Sequence, residues 1–183
     1  MQNSVIFLFF GLLLRIISSP VYWEDFSFSE QQTIIQGLSE QSVLRQYHCR
    51  QVSLQDDDET DVLFQELLIP VAEKGLRAFK FHLLNRICME ADGAVAEVVP
   101  SVIIRYIYHN ADYVLSYLKD HPDLASQYVT DTACELYFIS EGVSSSGLSE
   151  DSFWEQLCLD VHDKEYALFF MDNVKKAQKA IGD

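Results

Sequence analysis

Apolar side chains recur along most of this chain at intervals of three and four residues, the spacing that places them on one face of an α-helix. Leu76, Phe79, Leu83 and Ile87 form one such stripe, which Phe81, Leu84 and Cys88 widen. Tyr166, Phe170, Val174 and Ala177 form another near the end of the chain. Between them, Leu124 to Ser140 carries Ala125, Val129, Ala133 and Leu136, and Trp154, Leu157, Cys158 and Val161 share a further face. Val98 to Ile104 is β-branched enough to suit a strand on propensity alone. Its stripe continues through Tyr106, so the spacing predicts a helix there too.

Polar residues punctuate these stripes in ways that mark helix ends. Ser29 to Gln32 has the form of a capping box, which predicts a helix running to about Cys49. Residues 51–61 form a polar connector in which Asp58 or Thr60 is placed to cap the next helix. Pro70 either begins a new segment or kinks a continuous one, and Pro100 again falls within an apolar stretch. Gly93 suits the left-handed position after a helix, and Asn110 the cap of a short helix reaching Lys119. Pro122 opens another helix, and the Gly- and Ser-rich stretch 141–149 reads as a flexible loop. The last helix, Asp163 to Ile181, has lysines at 175, 176 and 179 opposing its dipole and Gly182 as its stop.

The sum is an all-α domain of about seven helices with short connectors, arranged as an irregular orthogonal bundle. Prolines thirty residues apart inside helical stretches make HEAT-like hairpins the alternative. A solenoid, however, requires a repeat recurring at least three times, and none recurs here.

The first nineteen residues depart from this pattern. Val5 to Leu14 is an unbroken apolar run ending at Arg15, and Ser18-Ser19-Pro20 follows. A bilayer's hydrocarbon core takes about 20 apolar residues to cross, so the run is too short for a stable anchor. Its length and the small residues after it fit an export signal cleaved between Ser18 and Val21, despite an amino-terminal region without Lys or Arg. The expected setting is then the periplasm or the cell exterior. An uncleaved interfacial helix, or the first core helix of a cytoplasmic protein, is the alternative. Residues 20–183 remain as a single domain, large enough to bury a core of its own.

Charge narrows the choice of partners. The chain has 13 Lys and Arg against 28 Asp and Glu, a net charge of −15. Because Arg15 is the one charged residue before position 20, the remainder holds 12 basic against 28 acidic side chains, or −16. Such a surface repels phosphate backbones and anionic headgroups and attracts basic proteins. Asp56, Asp57 and Asp58, with Glu59 after them, are the densest acidic run. A calcium loop would alternate its carboxylates and turn on a glycine, whereas these are contiguous and the next glycine is Gly75.

Candidate chemistry is sparse. The five histidines form no His-x-x-x-His pair, and the glycine patterns of nucleotide loops and nucleophile elbows are absent. Neither a cofactor nor a metal is expected. His48-Cys49 and His162-Asp163 are adjacent, but neighbours on a helix point about 100° apart. Asp163 is accounted for as a cap, and Asp131 and Glu135 as solvated carboxylates. Four separated cysteines, Cys49, Cys88, Cys134 and Cys158, lack any Cys-x-x-Cys and would form one or two disulfides in an oxidising compartment, or else remain as buried thiols. Tyrosines concentrate between residues 106 and 137, and Tyr108, Tyr113 and Tyr117 could line a groove for a partner peptide.

The functional expectation is an exported acidic binding protein, such as an inhibitor or an immunity protein that neutralises a basic partner. An adaptor with an aromatic groove is the first alternative, and an enzyme with a scattered site the second.

Overall fold

Helix α5, Gly93–Leu118, is the axis of the molecule and is buried on nearly every side. Val99, Val102, Ile103, Ile104, Ile107, Val114, Leu115 and Leu118 leave it no polar face over most of its length, so it must be enclosed by other elements. The computed structural model describes residues 20–182. Around α5 stand α1 (Phe28–Gly37), α2 (Val43–His48), α3 (Asp58–Leu68), α4 (Lys74–Glu90), α6 (Pro122–Ser140), α7 (Glu150–Asp160) and α8 (Lys164–Gly182). A 3₁₀ turn, Trp23–Asp25, precedes them. Among the described residues there is no strand, and the eight helices pack together as a bundle, so the fold is all-α as the periodicity predicts. The most extensive packing joins α6 to α8 and α5 to α6. The α6–α8 pairing reaches across α7, unlike the consecutive hairpins of a HEAT stack.

Helix ends explain where the sequence reading and the fold diverge. The capping box is centred on Ser27 rather than Ser29: the Ser27 amide donates to Glu30 at 2.8 Å and the Glu30 amide to Ser27 Oγ at 3.4 Å. The single helix expected to reach Cys49 is two. After Gly37 the chain extends at Leu38, and Ser39 Oγ accepts the Gln41 amide at 3.2 Å, a local bond that competes with helix continuation. Arg45 then donates to the freed Leu38 carbonyl at 3.0 Å. That break raises the count to eight. Asp57, not Asp58 or Thr60, caps α3, accepting the Thr60 amide at 2.9 Å. Helix α3 stops at Leu68, so Pro70 lies in a connector rather than in a kink.

The stretch around Pro100 is helical, as the continuing stripe predicts. Gly93 has the expected positive φ of 50°, although it opens α5 instead of closing α4. Asn110 does interrupt α5, with φ −139° and ψ 31°. Its side chain donates backwards to the Tyr106 carbonyl at 3.1 Å, so it finishes the first half of the helix rather than capping the second. On α7, Phe153 and Leu157 face inward with Val161 just beyond, while Cys158 is exposed. None of the described helices is long and apolar enough to cross a membrane, and the apolar run 5–14 with its signal reading lies outside the described residues.

Candidate functional site

The segment that leads into the first helix lies across α4 and the second half of α5. Trp23 is buried against Phe79, with ring centroids 5.0 Å apart, and stacks on His82 at 5.6 Å. Tyr22 packs on Tyr113 and Tyr117, at 4.9 and 4.7 Å. Hydroxyls fasten the contact. Tyr22 donates to the Tyr113 carbonyl at 3.1 Å, Tyr113 to the Val21 carbonyl at 2.9 Å, and Tyr117 to Glu24 Oε1 at 2.9 Å.

This corrects the tyrosine groove. Tyr113 and Tyr117 are only 6% and 7% exposed, because Phe81 lies on one side of them and Tyr22 on the other. Tyr108 is half-buried, set edge-on to His109, and does not join them. The place that sequence reasoning assigned to a partner peptide is filled by residues 21–24 of the chain itself.

Beside this strap opens a cleft of about 890 Å³ between α4, the end of α5 and the start of α6. Three carboxylates line it, Glu24, Asp120 and Asp123, and among the described residues none makes a salt bridge. Among the described residues Arg86 is the one Lys or Arg in its wall. Its guanidinium is already occupied, donating to Glu90 at 3.1 Å, to the Tyr47 carbonyl at 3.1 Å and to the His48 carbonyl at 3.4 Å while lying 4.2 Å over the Tyr47 ring. His121 stacks flat on Tyr117 at 3.8 Å, and its Nδ1 lies 2.8 Å from the Tyr117 carbonyl. A carbonyl only accepts, so that nitrogen carries hydrogen and Nε2 is the free edge of the ring. Burial lowers the pKa of His82, with Glu24 opposing, and burial followed by Arg86 lowers that of His48. Both rings are thereby biased towards the neutral form. The cleft suits a donor-bearing, cationic group more than an anion.

No catalytic constellation is assembled from the adjacent pairs. No hydrogen bond joins His48 to Cys49 among the described residues, and His162 pairs with Asp112 at 2.8 Å rather than with its neighbour. Asp163 accepts the Tyr166 amide at 3.0 Å as a cap and receives Lys119 at 2.6 Å, which together hold its carboxyl below the usual range. Among the described residues no group of three His, Cys, Asp or Glu side chains is placed to hold a metal.

All four cysteines are free and no two lie within disulfide distance, which overturns the expected disulfide. Cys49 and Cys158 are exposed, on separate helices' ends, while Cys88 and Cys134 are half-buried on α4 and α6. Asp56, Asp57 and Asp58 are exposed at the head of α3, where unsatisfied amides and the helix dipole favour negative charge. Among the described residues no hydrogen bond or ion pair links them to Tyr108, Tyr113 or Tyr117.

Sequence reasoning missed two buried acids. Asp131 is 8% exposed and Glu135 3%, although both read as solvated carboxylates. One turn apart on α6, they face inward because Tyr128, Thr132 and Leu136 of the same face pack against the rest of the fold. Polar residues four apart look alike in sequence whichever way the helix is turned.

Comparison with known proteins finds no matching family model, no matching curated protein and no matching solved structure.

Proposed function

We propose that this chain is an acidic binding protein, exported by its amino-terminal segment, that engages a basic protein and acts on it as an inhibitor or immunity protein would. One observation carries the reading: 28 acids outnumber 12 bases after residue 19, and several of those bases are held by groups of their own chain while clustered acids stand exposed. Lys80 is buried, donating to the carbonyls of Glu66 and Ile69. Arg45, Arg86, Lys119 and Lys164 are held by carbonyls or carboxylates of their own chain. Arg77 and Lys175 lie over the rings of Tyr113 and Trp154. Against them, Asp56, Asp58, Glu59 and Asp61 crowd one exposed helix start, and Glu24, Asp120 and Asp123 rim the cleft.

A field of that sign raises the encounter rate with a basic surface and disfavours acidic competitors. The cleft gives the partner's lysine or arginine a place to enter. An adaptor built on an aromatic groove has less support, since residues 21–24 occupy the groove.

The test is affinity capture from the native host at low salt, comparing the native chain with the triple reversal Asp56→Lys, Asp57→Lys, Asp58→Lys. Basic proteins retained by the first and lost by the second support the reading. Retention of only neutral or acidic proteins refutes it.

A further inference from the structure

We propose that the cavity bounded by the first turns of α5, the last turns of α6 and the loop 141–149 is a binding site for a primary ammonium group on a short aliphatic stem. This goes beyond the partner reading and does not depend on it. The cavity measures about 590 Å³. Glu135 forms part of its wall although the residue is only 3% exposed. One of its oxygens accepts the Ser144 hydroxyl at 2.5 Å, and the other has no hydrogen-bond partner among the described residues. That second oxygen is not sealed in the protein interior either, since the buried side-chain atoms without partners belong to His48, Arg77 and Thr132. It therefore keeps some exposure, and the cavity is the space that Glu135 lines.

A carboxylate withdrawn this far from water and given a single neutral donor is poorly compensated. A second feature points the same way. Pro100 lies inside α5 and has no amide hydrogen, so the Ala96 carbonyl, four residues earlier and in the wall of the same cavity, lacks its ordinary helix partner. Of the hydroxyls in the cavity's wall, that of Ser101 goes to the Val98 carbonyl at 3.0 Å and that of Ser144 to Glu135, while Ser145 is directed to neither acceptor by a hydrogen bond among the described residues. The Glu135 carboxylate and a carbonyl short of its helix partner thus belong to the wall of a space also lined by Phe138, Pro100, Cys134 and Val143. An ammonium supplies three donors and the opposite charge, and a short alkyl stem covers the apolar wall. Glu97 at the mouth adds a second negative charge for the approach.

A free alkylamine and a lysine side chain share this chemistry. The experiment titrates the full chain, followed by amide chemical shifts and calorimetry, with n-pentylamine, with 1-pentanol as its neutral counterpart, and with Nα-acetyl-lysine-N-methylamide. Pentylamine is expected to bind with a dissociation constant on the order of 1 mM, shifting amides of 134–145 and 96–101, while pentanol does not. Glu135→Gln keeps the acceptor for Ser144 and is expected to weaken the amine at least about tenfold. Pro100→Ala restores an amide that claims the Ala96 carbonyl and is expected to weaken it too, and circular dichroism verifies that each variant is folded. Shifts from the lysine derivative at the same amides extend the site to protein lysines, and their absence restricts it to free amines. Equal binding of pentanol and pentylamine, no binding up to about 20 mM, or unchanged affinity in both folded variants overturns the proposal.

Discussion

Tyr22 and Tyr113 hold each other's strands of chain: the Tyr22 hydroxyl donates to the Tyr113 carbonyl at 3.1 Å with the rings 4.9 Å apart, and the Tyr113 hydroxyl reaches the Val21 carbonyl at 2.9 Å. These bonds span more than ninety residues and fix the entry segment to the central helix. Tyr113→Phe removes one bond and keeps the ring, and is expected to cost about 1 kcal/mol of unfolding free energy in urea. Tyr113→Ala also empties the space between Phe81 and Tyr22, and about 3–5 kcal/mol should be lost. Equal stability of the Phe variant and the native chain would mean that water replaces the Val21 contact without cost.

Lys80 illustrates a charge used as a cap. Its ammonium donates at 2.5 and 2.8 Å to the Glu66 and Ile69 carbonyls at the end of α3, the first of which also accepts the Ile69 amide at 3.4 Å. Burial pushes its pKa down, with Glu66 opposing. Lys80→Ala removes the ammonium from the Ile69 carbonyl and leaves that of Glu66 only the 3.4 Å bond from the Ile69 amide, and a loss of about 2 kcal/mol is expected from thermal or urea unfolding. A neutral result would show that solvent reaches those carbonyls freely.

Asp131 should make stability depend on pH in a direction opposite to that of most carboxylates. Burial raises its pKa, and Gln127, donating to both oxygens at 3.1 and 3.0 Å, only partly offsets this. A carboxyl raised in the folded state favours folding below its unfolded pKa, and that contribution is lost as pH rises through the folded value. Asp131→Asn is therefore expected to raise the melting temperature at pH 7 and to change it little near pH 3. A loss of stability at pH 7 would mean that Gln127 outweighs the burial.

Thiol labelling of the native protein should divide four cysteines into classes. Cys49 and Cys158 are exposed and are expected to react quickly with a neutral aromatic disulfide. Burial raises the Cys134 thiol, and Asp131 and Glu135 raise it further. Burial raises Cys88 well above the ordinary range, and it is expected to be the slowest of the four to react. Fast reaction of Cys88 would place it outside the core.

Helix content, and the helix ends from Lys119 onward, were legible because they rest on spacing within one turn. Val98 to Ile104 could be placed despite its β-branching, since the stripe runs on to Tyr106. Asn110 was legible as a break, but not that its amide would bond backwards to Tyr106. What failed were questions of rotation and of long-range partners. Asp131 and Glu135 show no local sign of facing inward, and nothing near Tyr113 reveals that Tyr22, ninety-one residues earlier, covers it. The disulfide expectation failed for a related reason, because separation along the chain says nothing of distance across it. The cavity beneath the loop depends on one legible residue, Pro100, and one illegible orientation, that of Glu135.

The central claim is that surplus surface acidity serves recognition of a basic partner. Exposed charges more than about 10 Å apart are screened at 0.1 M salt, so association steered by them slows as salt rises, while dissociation, set by close contacts, responds less. The direct measurement is the association rate constant with the partner captured from the native host, taken by surface plasmon resonance from low to high ionic strength. A steep fall is expected, at least about tenfold from low to physiological salt, and a shallower one for the Asp56, Asp57 and Asp58 reversal. An association rate indifferent to salt would contradict it and leave the acidity with no role beyond solubility.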